Sequence, residues 1–92
     1  MGTDLRATAQ GFFMLSDPTR VAIVRLLAKA PINVSAICKT LGKKQTIVSN
    51  HLGTMRLGRL VEGKRTGKTI IYSVNKAAMK GLASSLKSLM PR

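Results

Sequence analysis

The fold of this chain is decided by residues 41–61, LGKKQTIVSNHLGTMRLGRLV. Within them, Val48, Leu52 and Met55 recur at helical spacing, which predicts a helix over 45–57 with one apolar face turned inward. The opposite face carries small hydrogen-bonding side chains. A glycine followed by two lysines separates this helix from a shorter apolar segment before it. Two short helices joined in this way predict a helix-turn-helix.

Three helices are predicted upstream of this one, and the first, over 4–15, has an apolar stripe of Leu5, Ala9, Phe12 and Phe13. SDPTRVAIVRLLAKAP (16–31) has Ser16 or Asp17 as its cap and Pro18 in its first turn. Apolar residues cover most of its circumference, so we expect this helix to be central. NVSAICKTLG (33–42) is the third helix along the chain and the first of the helix-turn-helix pair.

A β-hairpin with a basic tip is predicted downstream. Ile70, Tyr72 and Val74 alternate, and Gly67 lies in a tight turn between basic residues. A helix-turn-helix followed by such a hairpin is the winged-helix arrangement, with the wing over 62–70. The predicted fold is a single domain over 1–92, mainly α with a β-hairpin wing, in the order α-α-α-α-β-β-α.

The charge balance indicates a polyanionic partner. Sixteen Lys and Arg against three Asp and Glu give a net charge of +13, which for a small domain most often means nucleic acid. The alternative is a solvated basic surface. With two Phe, one Tyr and no Trp, the chain lacks the aromatic platforms that stack single-stranded bases.

Three stretches in this order resemble the ArsR-type winged helix-turn-helix repressors of prokaryotes: LSDPTRVAIVRLL (15–27), the segment 41–61, and KRTGKTIIYSV (64–74). The resemblance covers roughly residues 12–75. It implies a homodimer on a pseudo-palindromic double-stranded operator. Each 45–57 helix would then enter a major groove, and each wing would contact the neighbouring backbone.

The resemblance also implies that the first and last helices, over 4–15 and 76–90, form the dimer interface. Their apolar stripes agree, because a chain of 92 residues can hardly bury them alone. The alternative is that these helices simply close the protomer. The predicted interface residues are Leu5, Phe12, Phe13, Met79, Leu82, Leu86 and Leu89.

The base-facing residues are predicted by position and by resemblance. Gln and Asn pair bidentately with adenine, and Ser can donate or accept at either kind of base edge. The alternative is an ordinary solvated helix face, which the flanking cations argue against. The four residues are Gln45, Thr46, Ser49 and Asn50.

The flanking cations are predicted to hold phosphates, which position a protein on DNA without reading its sequence. His51 either donates to a phosphate or packs behind the recognition face. Lys44 stands where the family usually has a small capping residue, and lysine cannot cap. The start of the helix therefore has to be set differently. The predicted phosphate-binding residues are Lys43, Lys44, His51, Arg56, Lys64, Arg65 and Lys68.

Neither a metal nor a cofactor is expected. Many relatives bind metal through a Cys-x-Cys pair at the start of the third helix, where this chain has Asn33 and Ser35, or through acids and histidines on the last helix. Cys38 is expected to be a small buried hydrophobe. Catalysis is not predicted, because Ser49 and His51 are two residues apart on a helix and project in roughly opposite directions.

The expected location is the cytoplasm of a prokaryote, in association with DNA and not membrane. No apolar run approaches the 18 residues of a spanning helix, and one cysteine suits a reducing compartment. Three other functions stay open. They are a winged helix that docks an acidic protein, a sequence-independent architectural DNA binder, and a basic amphipathic last helix that lies on a membrane surface.

Overall fold

The computed structural model describes residues 4–91, in which five helices and three strands form. It confirms the predicted winged helix-turn-helix and adds one element, a two-residue strand between the second and third helices. The elements are α1 (Leu5–Met14), α2 (Pro18–Lys29), β1 (Ile32–Asn33), α3 (Val34–Leu41), α4 (Gln45–Leu57), β2 (Val61–Thr66), β3 (Thr69–Val74) and α5 (Lys76–Leu89).

Helix α2 begins where its sequence dictates. Of the two candidate caps, Asp17 takes the role, its Oδ1 accepting from the backbone N–H groups of Thr19 at 2.8 Å and Arg20 at 3.2 Å. Pro18 occupies the first turn, where its missing N–H costs nothing. The hydroxyl of Ser16 instead donates to the carbonyl of Phe13 at 2.6 Å, which fastens the end of α1.

The first helix of the helix-turn-helix is bounded by Asn33 and Gly42. The Asn33 side chain caps α3 by accepting from the N–H of Ala36 at 2.8 Å. Gly42 ends α3 with φ of 65°, a left-handed conformation in which glycine meets no steric cost. Helix α4 then begins at Gln45, as predicted.

The wing belongs to a three-stranded antiparallel sheet in the order β1-β3-β2. Thr66 pairs with Thr69, so the hairpin turns in two residues, and Gly67 supplies the positive φ of 64° that such a turn needs. Strand β1 pairs Ile32 with Tyr72 on the other side of β3. The wing is therefore anchored at its base to the start of the helix-turn-helix.

One aliphatic core lies beneath the helix-turn-helix and the sheet. Helix α2 is central, as predicted, and the inward positions of α4 are fully buried. By contrast, α5 has no buried residue and α1 has one, Met14. The buried core consists of Met14, Ile23, Val24, Leu27, Ile37, Val48, Leu52, Met55, Leu60, Val61 and Tyr72.

Within residues 4–91, the helices are too short or too polar to cross a membrane.

Candidate nucleic-acid interface

The four predicted base-facing residues lie together on the outward side of α4. Gln45, Thr46, Ser49 and Asn50 are all exposed. On the opposite side, Val48 is 0% exposed, and Leu52 and Met55 are buried with it. The core thus fixes the rotation of α4, and that rotation presents a surface of short hydrogen-bonding side chains to solvent.

The start of α4 has no capping side chain. Lys44 occupies the N-cap position with extended backbone and makes no side-chain capping hydrogen bond. Its carbonyl accepts from the N–H groups of Ile47 and Val48, both at 3.1 Å. The helix therefore begins through backbone contacts alone, and the exposed lysine keeps its charge available at the positive end of the helix dipole.

Exposed cations lie in three elements next to this polar face along the chain: the turn before α4, the last turn of α4, and the wing. Within residues 4–91, the one acid–base pair closer than 4.0 Å joins His51 to Asp17, so none of these lysines and arginines is neutralised by an adjacent carboxylate. The exposed cations are Lys43 and Lys44 in the turn, Arg56 near the end of α4, and Lys64, Arg65 and Lys68 in the wing.

Helix α4 and the wing share a cleft. It has a volume of about 250 Å³ and is open to solvent. Gln45, from the predicted base-facing set, and Lys68, from the predicted phosphate-binding set, both line it. Asn33 and Ser35 line it too, so the start of α3 also borders it. Two elements predicted separately to touch DNA therefore border one concave surface.

His51 faces inward, toward α2. Its Nδ1 lies 3.2 Å from Nη1 of Arg20, and its Nε2 lies 3.8 Å from Oδ1 of Asp17. Because an arginine only donates, Nδ1 accepts, and the remaining proton belongs on Nε2. Of the two roles left open for His51, these contacts favour packing behind the recognition face.

Arg20 is a structural residue of this site that the sequence did not reveal. Only 8% of it is exposed. Its Nε donates to the carbonyl of Met14 at 2.8 Å, its Nη2 donates to that of Phe13 at 3.2 Å, and its Nη1 contacts His51. From its spacing in SDPTRVAIV, Arg20 would be expected to be solvated. Only its place in the DPTR motif indicated a fixed role.

Asp17 has a lowered pKa. Partial burial raises the pKa of this carboxyl. The backbone N–H groups of Arg20 and Thr19, the imidazole of His51 when it is protonated, and the guanidinium of Arg20 outweigh burial, and together they hold the pKa below its ordinary value of 3.8. The ionised form of Asp17 is thus favoured over the protonated form at the position where it caps α2 and lies beside His51 of α4.

Asn33 and Ser35 occupy the positions at which a Cys-x-Cys metal pair would be sought. Asn33 caps α3 through its side chain, and Ser35 is exposed. Within residues 4–91, no three His, Cys, Asp or Glu side chains come close enough together to hold a metal ion. Cys38 is a free, half-buried thiol that packs against the core.

The predicted interface residues divide into two groups. Met79, Leu82 and Phe12 are half-buried, and the first two pack against the core of the protomer itself. A Cβ atom on Gly11 would collide with Leu82, so α1 and α5 lie in close contact there. The exposed group consists of Leu5 (75%), Phe13 (52%), Leu86 (55%) and Leu89 (65%).

Comparison with known proteins agrees with this architecture. The sequence profile described as "Bacterial regulatory protein, arsR family" matches residues 17–62. KmtR, an HTH-type transcriptional regulator of Mycobacterium tuberculosis, is 41% identical over 61 residues, which are 66% of this chain and 47% of KmtR. The transcriptional repressor PagR of Bacillus anthracis is 34% identical over 82% of this chain and 76% of its own length.

Solved structures are similar over most of the chain. The homodimeric winged helix-turn-helix DNA-binding domain of Mb0332 from Mycobacterium bovis superposes with a TM-score of 0.78 at 27% identity, covering 91% of this chain and 79% of that one. The likeness to curated relatives is less complete. The chain spans about half the length of KmtR and of NmtR, a second M. tuberculosis regulator that is 35% identical over 65% of this chain.

Proposed function

This chain belongs to the arsR family of bacterial regulatory proteins, and we propose that it is a dimeric repressor that reads double-stranded DNA. Helix α4 enters the major groove, and the wing over 62–70 lies on the adjacent backbone. The winged helix-turn-helix fold supports this geometry, since such domains place their second helix against base edges.

One observation carries the proposal: the outward face of α4 is uncharged and hydrogen-bonding, while the cations stand around it. Gln45 and Asn50 have side chains that recognise adenine, and Ser49 and Thr46 add shorter donors and acceptors. This division suits a sequence reader, in which base-edge contacts discriminate and separate cations position the protein.

The phosphate contacts are proposed for the turn, the end of α4 and the wing. Lys43 and Lys44 would hold the backbone beside the start of the helix. Lys64, Arg65 and Lys68 would hold it beside the wing, with Arg56 between the two groups. His51, on the inner side of α4, is proposed to support the helix and not to bind phosphate, because both of its ring nitrogens already face α2.

The proposed dimer uses the apolar face of α1 and α5. That face leaves Leu86 and Leu89 more than half exposed in the protomer, and the similar domain of Mb0332 is described as homodimeric. A two-fold dimer calls for an inverted repeat whose half-sites lie about one helical turn apart, or a multiple of that. Binding there would block transcription, and the related PagR is named a repressor.

The proposal also covers metal and cofactor requirement, catalysis and the place of action. We propose that binding requires no metal or cofactor and that the protein is not an enzyme. Its place of action would be the cytoplasm, where bacterial DNA lies. The sequence supports the first two points, because it lacks the matching metal ligands and nucleophile–base pairs, and the family supports the third.

Selection of duplexes from a randomised pool at about 150 mM salt tests the proposal, because that ionic strength screens weak contacts. An enriched inverted repeat is the expected result. Tight binding without enrichment would instead favour a sequence-independent architectural protein, which the net charge of +13 would also suit. Failure to bind DNA would reject the proposal and favour docking to an acidic protein.

A further inference from the structure

Helix α4 ends in a Schellman motif whose left-handed position is an arginine. The N–H of Leu60 donates to the carbonyl of Met55 at 2.9 Å, and the N–H of Arg59 donates to that of Arg56 at 3.0 Å. Arg59 has φ of 62° and is the one non-glycine residue with positive φ in the part of the chain described. Glycine is usual here, because a Cβ atom is disfavoured in this conformation.

The protomer explains the backbone of Arg59 but not its side chain. The carbonyl of Arg59 accepts from Nδ2 of Asn75 at 2.9 Å, which fixes the strained residue in place. The preceding glycine has its own reason to be small, since a Cβ on Gly58 would stand 2.7 Å from Sδ of Met14. The guanidinium of Arg59 is exposed and makes no ion pair or hydrogen bond within residues 4–91.

A second position in α4 also lowers the stability of the helix. Gly53 lies in its interior, where glycine is less favourable than alanine. Helical spacing places it on the outward line that runs from Thr46 through Asn50 to Leu57. A Cβ atom on Gly53 would meet nothing within 4 Å. Packing in the protomer therefore does not require this glycine.

We propose that Gly53 and Arg59 are further DNA-contacting positions, at which α4 gives up stability in exchange for binding. Gly53 lets the helix backbone approach the duplex closely, as glycine does where a ligand meets main chain. Arg59 holds a phosphate at the junction between the helix and the wing, midway between the end of α4 at Leu57 and the start of β2 at Val61. This inference rests on the proposed function and adds two residues to its surface.

The test measures thermal stability and DNA affinity on the same variants of the full chain, using the duplex recovered by selection. Gly53→Ala should raise Tm by about 4–8 °C, the shift expected for a helix-interior glycine in a domain of this size. It should weaken binding while leaving the salt dependence unchanged. Gly81→Ala is the matched control, because Gly81 is interior to α5 and a Cβ there also meets nothing within 4 Å. It should raise Tm alike and leave affinity as it was.

Arg59→Gly should also raise Tm while weakening binding to all duplexes alike. If each protomer loses one phosphate contact, the slope of log affinity against log salt should flatten by about 2 for the dimer. Arg59→Lys, which keeps the charge and the left-handed backbone, should retain both affinity and slope. Lys80→Gln, on the exposed side of α5, controls for the loss of one positive charge.

Unchanged affinity in Gly53→Ala and Arg59→Gly, with higher Tm, would overturn the inference and leave the proposed function standing. Lower Tm in both would also overturn it, because it would show that these residues serve the fold. If the unmodified protein does not bind duplex DNA, the proposed function fails first. The two failures are therefore distinguishable.

Discussion

The guanidinium of Arg20 lies 3.2 Å from Nδ1 of His51, so a buried charge of α2 contacts the helix proposed to read DNA. The same guanidinium binds two carbonyls at the end of α1, and its Cζ stands 5.2 Å from the ring centroid of Phe13. One side chain thus ties α1, α2 and α4 together. The position of α4 is therefore fixed from behind by a polar contact as well as by the core.

Replacing Arg20 by methionine should destabilise the protein by about 1–3 kcal/mol. Methionine fills a similar volume, but it leaves the carbonyl of Met14 without its donor in a buried place. Urea unfolding followed by circular dichroism measures the loss. Arg25→Met is the matched control on the same helix. Because Arg25 is exposed, its replacement should change stability by no more than about 0.5 kcal/mol. Equal losses would show that the buried contacts of Arg20 contribute nothing.

The cap of α2 should make stability depend on acid pH. The folded pKa of Asp17 lies below its unfolded value, so the stabilisation is complete above about pH 5, where the unfolded carboxyl is also fully ionised. It should be lost as pH falls from there through the folded pKa. Asp17→Asn keeps a capping oxygen but cannot titrate, so the stability difference between the two proteins should shrink over this range. A difference independent of pH between 5 and the folded pKa would contradict the assignment.

Local signals in the sequence predicted most of the fold. Asp17 with Pro18 begins α2, and the spacing of Val48, Leu52 and Met55 fixes the face of α4 that packs inward. These features act over one or two turns of chain, so they can be read without knowing the tertiary structure. The outward polar face of α4 follows from the same periodicity.

Long-range contacts could not be predicted in the same way. Strand β1 has two residues and no period of its own, and it exists because Ile32 meets Tyr72 forty positions later. Arg20 is buried because carbonyls at the end of α1 and a ring nitrogen of His51 surround it. Neither partner set is visible from sequence spacing.

Base reading by α4 should appear as position-specific losses. Gln45→Ala or Asn50→Ala should each cost about 1–3 kcal/mol of discrimination at particular base pairs and much less elsewhere. Binding of each variant to the selected operator and to its single-base substitutions measures this. Arg65→Ala is the comparison, since loss of a phosphate contact should weaken binding to every sequence alike. Equal losses on operator and random DNA for Gln45→Ala and Asn50→Ala would exclude base reading.

The salt dependence of binding should report the proposed phosphate contacts. If about four of the six proposed cations of each protomer contact phosphate at once, log affinity of the dimer should fall against log salt with a slope of roughly −7. A titration of operator binding between low and physiological salt measures the slope. A slope near zero would show that the exposed lysines and arginines of the turn and wing do not hold the backbone.

Breaking the apolar face of the terminal helices should separate the protomers without unfolding them. Leu86→Glu places a charge where the side chain is 55% exposed in the protomer but would be buried in the proposed dimer. Sedimentation should then show a monomer, and circular dichroism should show that its helices are intact. Val21→Glu, at a 41% exposed position of α2, should leave the mass of the dimer unchanged. The Leu86→Glu monomer should bind the full inverted repeat no more tightly than an isolated half-site, because the second half-site no longer adds effective concentration. A variant that stays dimeric would place the interface elsewhere.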